Sequence, residues 1–145
     1  MGVIKAFVDS NVIINHFSGN VNILELLEKY ELYINSIVFS EVLMVYLKLI
    51  TNEKSYTLKH KPELIVNKKE ELKLVDDLFS LLITINMDEN IHKIAYNLIT
   101  EYGLLPNDAL ILATCKYHKI KNLITFDDDF KEITDKEGIK IINPK

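Results

Sequence analysis

Apolar positions along this chain form short β-branched runs and longer helical stripes that alternate from one end to the other. The run Val3-Ile4-Lys5-Ala6-Phe7-Val8 stops on Asp9 and predicts a buried first strand. Residues 11–17 follow as a short helix, which Ser18-Gly19-Asn20 breaks. Ile23, Leu24 and Leu27 share one stripe of a second predicted helix over 21–30. Leu32-Tyr33-Ile34-Asn35 is a short strand, and Ser36 then caps a longer helix over 37–49. The stretch 52–66 carries Pro62 and several lysines with little periodicity, and it reads as an irregular arm. Leu72, Val75, Leu78, Phe79 and Leu82 mark a helix over 67–82, and Ile83-Thr84-Ile85-Asn86 a third strand. Asp88 opens a helix that Gly103 stops in a left-handed turn. A helix over 106–118 has Pro106 in its first turn, where the missing N–H is not needed. Asn122-Leu123-Ile124-Thr125 is a fourth strand, 127–133 a short helix, and Ile139-Lys140-Ile141-Ile142 the last strand.

Short strands alternating with helices predict an α/β fold, with a parallel five-stranded sheet covered by helices on both faces. The 145 residues fit a single domain, 1–145, with the 52–66 arm as its one irregularity. No apolar run approaches the roughly 18 residues that a membrane span needs. The N-terminus lacks a basic region followed by an apolar core, so no signal peptide is read there. The single cysteine, Cys115, excludes an internal disulfide and reads as a small buried hydrophobe; a reducing cytoplasm is the expected location. The net charge of -4 argues against indiscriminate coating of nucleic acid. It leaves open chemistry on nucleic acid through bound cations, which invert the local field. All 17 basic residues are lysine, so bidentate arginine clamps on phosphate are unavailable.

Ligands of a parallel sheet bind at the carboxyl ends of its strands, and there this chain collects acids. Asp9 ends the first strand; it can also serve merely as a helix cap, a role open equally to Ser10 and Asn11. Glu41 lies one turn into an apolar helix, where a lone carboxylate is costly, so a positive partner is expected beside it. Asp108 opens the helix over 106–118, and its plain role there is a favourable charge worth about 0.3–1 kcal/mol. Asp127, Asp128 and Asp129 follow the fourth strand; Asp128 reads as solvated, while Asp127 and Asp129 can both face the crevice. Each place has a bland explanation alone. Together at neighbouring strand ends the acids would repel one another unless divalent cations lay among them. Oxygen ligands, with no supporting cysteine and no histidine pair at metal spacing, point to Mg²⁺ or Mn²⁺ rather than zinc. Such an ion suits phosphodiester hydrolysis, because it activates water and stabilises charge on the phosphate.

Four strings carry a resemblance: Phe7-Val8-Asp9-Ser10-Asn11, Ser40-Glu41-Val42-Leu43, Leu105-Pro106-Asn107-Asp108-Ala109-Leu110 and Thr125-Phe126-Asp127-Asp128-Asp129-Phe130. In this order they resemble the motifs of the PIN-domain family, and in size the chain resembles the VapC toxins of toxin–antitoxin pairs. The resemblance implies a three-layer fold on a parallel five-stranded sheet and a Mg²⁺- or Mn²⁺-dependent endoribonuclease. It implies catalytic and metal-binding roles for Asp9, Glu41, Asp108 and Asp127, with Asp129 as a fifth ligand. Ser10, Asn11 and Thr125 match polar positions that support the site. The implied partners are an RNA substrate, a cognate antitoxin and a second copy of the chain in a homodimer. The exposed parts of the helices over 21–30 and 37–49 are the candidate contact surfaces, and no membrane partner is expected. The 52–66 arm and the lack of arginine depart from the simplest family pattern.

Other residues carry less. His16, His60, His92 and His118 are scattered, with no pair at helical spacing. Tyr46, Tyr56 and Tyr96 read as core or rim, and the lysines of 54–73 as a solvated face interrupted by glutamates. A competing function is a catalytically idle PIN-like module that binds metal or RNA in a larger assembly; it would be expected to have lost a carboxylate. A phosphorylatable receiver domain needs an acceptor aspartate ending its third strand and a lysine after its fifth. This chain offers Asn86-Met87-Asp88 and Asn143-Pro144. A nucleotide-binding Rossmann domain needs a glycine-rich phosphate loop, which is missing.

Overall fold

The computed structural model describes residues 2–145. Its strands are β1 (Lys5–Val8), β2 (Glu31–Ile34), β3 (Ile83–Thr84), β4 (Asn122–Ile124) and β5 (Lys140–Ile142). They form one all-parallel sheet in the order β3-β2-β1-β4-β5, flanked by helices, as the alternating pattern predicts. Successive side chains of a strand point to opposite faces, yet Ala6, Phe7 and Val8 are all fully buried. Both faces of β1 are therefore covered, which explains why it reads as a continuous apolar run rather than an alternating one. From β1 the chain moves outward through β2 to β3, then returns across the sheet to β4 on the far side of β1. That reversal leaves a crevice at the carboxyl ends of β1 and β4.

The helices are α1 (Ser10–Phe17), α2 (Ile23–Lys29), α3 (Ser36–Thr51), α4 (Ser55–His60), α5 (Glu63–Val66), α6 (Lys69–Phe79), α7 (Glu89–Tyr102), α8 (Pro106–Tyr117) and α9 (Lys131–Lys136). Gly103 stops α7 at φ 73° and Asp88 caps it through the N–H groups of Asn90 and Ile91, both as expected.

Four local expectations are corrected. First, α2 begins at Ile23, because Asn22 caps it; Leu26 rather than Leu24 joins Ile23 in the core, and Leu24 faces outward. Second, Asn35 rather than Ser36 caps α3, its Oδ1 accepting the N–H groups of Ile37 and Val38 at 3.1 Å each. Third, the 52–66 arm is not irregular. It holds α4 and α5, anchored by the buried Leu58 and by packing of α5 on α3. Fourth, residues 127–130 are not helical, with a turn at 129–130, and the helix expected over 127–133 starts only at Lys131.

Asn35 is fully buried and has a second task. Its Nδ2 donates to the hydroxyl of Thr114 in α8 at 2.9 Å, fastening the start of α3 to the helix that carries Asp108. Asn35→Ala removes the cap, leaves the N–H groups of Ile37 and Val38 without it, and takes a donor from the buried Thr114 hydroxyl, which still donates to the Leu110 carbonyl. An expected loss of about 2–4 kcal/mol follows. A urea titration checks it, through a lower midpoint at unchanged slope. The far end of α8 is held by Lys116, whose ammonium pairs with Glu137, and the Tyr102 hydroxyl donates to the same carboxylate at 2.5 Å. Lys116 first and Tyr102 second hold the Glu137 carboxyl below its ordinary range, and Glu137 pushes the Tyr102 phenol up to about 12.

Candidate active site

The pairing of Val8 with Ile124 fixes what comes next on each strand: Asp9 and Thr125 lie side by side at the carboxyl end of the sheet. The ladder continues one step, with the Asp9 N–H donating to the Ile124 carbonyl at 3.0 Å. The Thr125 hydroxyl donates to Asp9 Oδ2 at 2.8 Å. It also accepts from Asn11 Nδ2 at 3.2 Å and from the Asp127 N–H at 3.0 Å. One hydroxyl has one proton and two lone pairs, so Thr125 is saturated. Asn11 Oδ1 in turn accepts the Phe126 N–H at 3.3 Å. On its other side Asp9 Oδ1 accepts the Ser10 N–H at 2.8 Å, so Asp9 does stand at the cap position of α1 as well as at the crevice. Ser10, Asn11 and Thr125 thus ring Asp9, within 3.5 Å of it or of one another.

Asp127 lies in the turn after β4, and its Oδ1 accepts the Asp129 N–H at 2.9 Å. Asp127 is half-buried, whereas Asp128 and Asp129 are exposed. Ligand oxygens of these three approach within 4.8 Å of one another. Glu41 reaches the crevice from α3. Asp108 comes from the first turn of α8 rather than from a strand end. The amide of Asn107 donates to Glu41 Oε2 at 3.2 Å, joining α8 to α3. Asn107 is the residue that sequence reasoning missed. Its place beside Asp108 was visible, but a partner 66 positions away was not.

Two of the acids, Asp9 and Asp108, are shifted by burial and by their acidic neighbours. Burial raises Asp9 above the ordinary carboxylate range, the Thr125 and Ser10 hydrogen bonds oppose that, and Glu41 and Asp127 add to it. Burial likewise raises Asp108, followed by the charges of Asp9, Asp127 and Glu41. Glu41 and Asp127 thus lie close enough to act on both Asp9 and Asp108, while Asp129 is not among the groups acting on either. No lysine supplies the positive partner expected for Glu41. Among the described residues, lysines pair with Asp77, Glu89, Glu137 and Asp135, and none with the four crevice acids. A neutral amide meets Glu41 instead. Partly buried carboxylates without a counter-charge, offering oxygen alone, suit a hard divalent cation by donor type, although among the described residues only Asp127, Asp128 and Asp129 bring three ligand oxygens within 4.8 Å. The histidines do not compete for that role; Nδ1 of His16 is occupied by the Ile23 N–H at 3.1 Å.

The sequence pattern of the PIN domain matches residues 6–136. The chain is 43% identical over 142 residues to Ribonuclease VapC2 of Methanocaldococcus jannaschii, covering 94% of each chain. It is 34% identical over 158 aligned positions to Ribonuclease VapC6 of the same organism, covering 94% of this chain and 97% of that one. Its fold is similar to a chain in a toxin–antitoxin complex from Klebsiella pneumoniae, with TM-score 0.68, 27% identity, and coverage of 97% and 98%. The chain belongs to the PIN-domain family, and within it to the VapC group.

Proposed function

We propose that this protein is a Mg²⁺- or Mn²⁺-dependent endoribonuclease and the toxin of a toxin–antitoxin pair. One observation carries the chemistry: acids from four separate stretches meet around Asp9 and Asp108, and no lysine pairs with any of them. Asp9, Glu41, Asp108 and Asp127 would hold the ion, with Asp129 as a fifth ligand on the exposed side. Bound by these residues, a divalent ion would supply water activation and stabilisation of charge on the phosphate. The chain's own contribution is orientation. Thr125 and Ser10 fix the two oxygens of Asp9, and Asn11 fixes Thr125. Phosphate contacts fall to lysine and backbone N–H, given the absence of arginine.

The names of the two relatives support RNA as substrate, and the Klebsiella complex supports an antitoxin partner. Phe39, Met44 and Leu49 on α3 and Leu24 on α2 are large apolar residues left exposed, and they offer surface to an antitoxin or to a second copy in a homodimer. No helix among the described residues is long and apolar enough to cross a membrane. The idle-module alternative gains no support, because the acid that it should have lost is present in every motif.

Cleavage of a mixed RNA pool tests the activity. Fragments are expected with Mg²⁺ or Mn²⁺ and not with EDTA, and restoring the ion in excess is expected to restore them. Cleavage that persists in EDTA would remove the metal from the mechanism.

A further inference from the structure

The four crevice acids are not held equally. Asp9 takes hydrogen bonds from Thr125 and Ser10, and Asp127 from the Asp129 N–H. Asp108 needs less, being a short side chain in the first turn of a helix packed through Ala109, Ile111 and Leu112. Glu41 is the long one. A glutamate side chain has more rotamers than an aspartate, and ordering it costs up to about 1.5–2 kcal/mol. Among the described residues its carboxylate has one hydrogen-bond donor, the amide of Asn107. Asn107 is itself exposed, so its amide has no need of a protein partner and water would satisfy it. The bond therefore matters for Glu41 rather than for Asn107.

The geometry points to Asn107 as a positioning residue for Glu41: its amide holds Oε2, leaving Oε1 without a protein donor and available to a cation. This rests on the metal-dependent reading above. Asn107 precedes Asp108 directly, so a single turn of α8 supplies one acid to the crevice and orients another that arrives on α3. Because α3 is also fastened to α8 through Asn35 and Thr114, the two helices meet at a buried and an exposed hydrogen bond. The exposed one adjusts the acid without supporting the fold. Hydrogen-bond partners of metal ligands commonly contribute about 10–100-fold to metal affinity.

The test is a Mn²⁺ titration by calorimetry on the full chain, as wild type, Asn107→Ala, Glu41→Ala and the double variant. Asn107→Ala is expected to weaken Mn²⁺ binding about tenfold, with the melting temperature of the metal-free protein unchanged within about 2 °C. In the Glu41→Ala background the same substitution is expected to have no further effect, because Asn107 acts through Glu41. Asn107→Leu, which is close in shape and cannot donate, is expected to lose affinity as the alanine variant does. Full affinity in Asn107→Ala, or an equal loss with and without Glu41, would overturn the assignment while leaving the metal site standing. A wild type that takes up no Mn²⁺ would strike the metal site itself, and the assignment with it.

Discussion

Asp9→Asn is expected to lower RNA cleavage by at least about a hundredfold, or about 2.7 kcal/mol of barrier, with the fold intact. The substitution keeps the shape of the side chain and removes its charge. Oδ1 can still accept from the Ser10 N–H, so the start of α1 survives. The other oxygen becomes an amide that faces the Thr125 hydroxyl, which already accepts from Asn11 and from the Asp127 N–H. Thr125 then meets three donors with two lone pairs, and its own proton loses its acceptor. Loss of one negative ligand and loosening of the Asp127 turn act together, so the effect should exceed that of removing an outlying acid. Asp129→Asn is the natural comparison, because Asp129 is exposed and does not act on Asp9 or Asp108. Cleavage rates and far-UV circular dichroism of both variants decide the matter. Asp9→Asn protein that cuts RNA at the wild-type rate would remove Asp9 from the chemistry.

The second large effect is on stability. Asp9 and Asp108 are both raised, in each case chiefly by burial and further by neighbouring acids. Between the ordinary carboxylate range and their raised values, the folded protein binds more protons than the unfolded one. Their favourable contribution is thus fully present below the unfolded pKa, near 3.8, and is lost as pH rises through the raised values. Metal-free protein should therefore melt lower at pH 7 than those two groups would allow near pH 4. Other acids such as Glu137 work in the opposite direction, since a depressed carboxyl loses its contribution as pH falls. Comparison of wild type with Asp9→Asn isolates the crevice: in EDTA the variant should show a shallower decline with rising pH. Saturating Mn²⁺ reverses the sign by favouring the ionised carboxylates. At a hundred times the dissociation constant it contributes about 2.7 kcal/mol, or about 5–10 °C in melting temperature for a chain of this size. Scanning calorimetry at pH 7 with and without Mn²⁺ reads this directly. Coincident melting curves for the wild type would mean that no ion binds the folded protein there.

Much of this was legible in the residues themselves. β1 announces itself because both of its faces are buried, and a carboxylate ending such a run is out of place unless it has work to do. Asp88 and Gly103 mark the ends of α7 because capping and left-handed turns are local chemistry. Two of the errors arose where a residue's partner is far away in the chain, and two where one short polar side chain took a local turn or cap. Ser36 and Asn35 are equally good caps by composition. What selects Asn35 is Thr114, 79 positions on, which occupies its amide while its carbonyl caps the helix. The helices α4 and α5 exist through Leu58 and through packing on α3, in a stretch whose lysines hide any stripe. The helix after β4 starts late because Asp127 spends its side chain on a turn with Asp129, and because Phe130 turns into the core. The crevice acids were visible one by one from their places after strands and at helix starts. Their mutual influence, and the amide that meets Glu41 where a cation was expected, belong to tertiary structure.

The position of β1 has a consequence for the living cell. Of the five strands it is the first to leave the ribosome, yet one of its two neighbours, β4, begins at Asn122. Until that late segment emerges, a nascent chain has Asp9 without Thr125 or Asp127 beside it. Parallel pairing over so long a separation is slow to form, because a large loop must close first. On the proposed reading, cleavage would stay silent until β4 and the turn that carries Asp127 have emerged. That delay leaves time for an inhibitor made alongside it to be waiting.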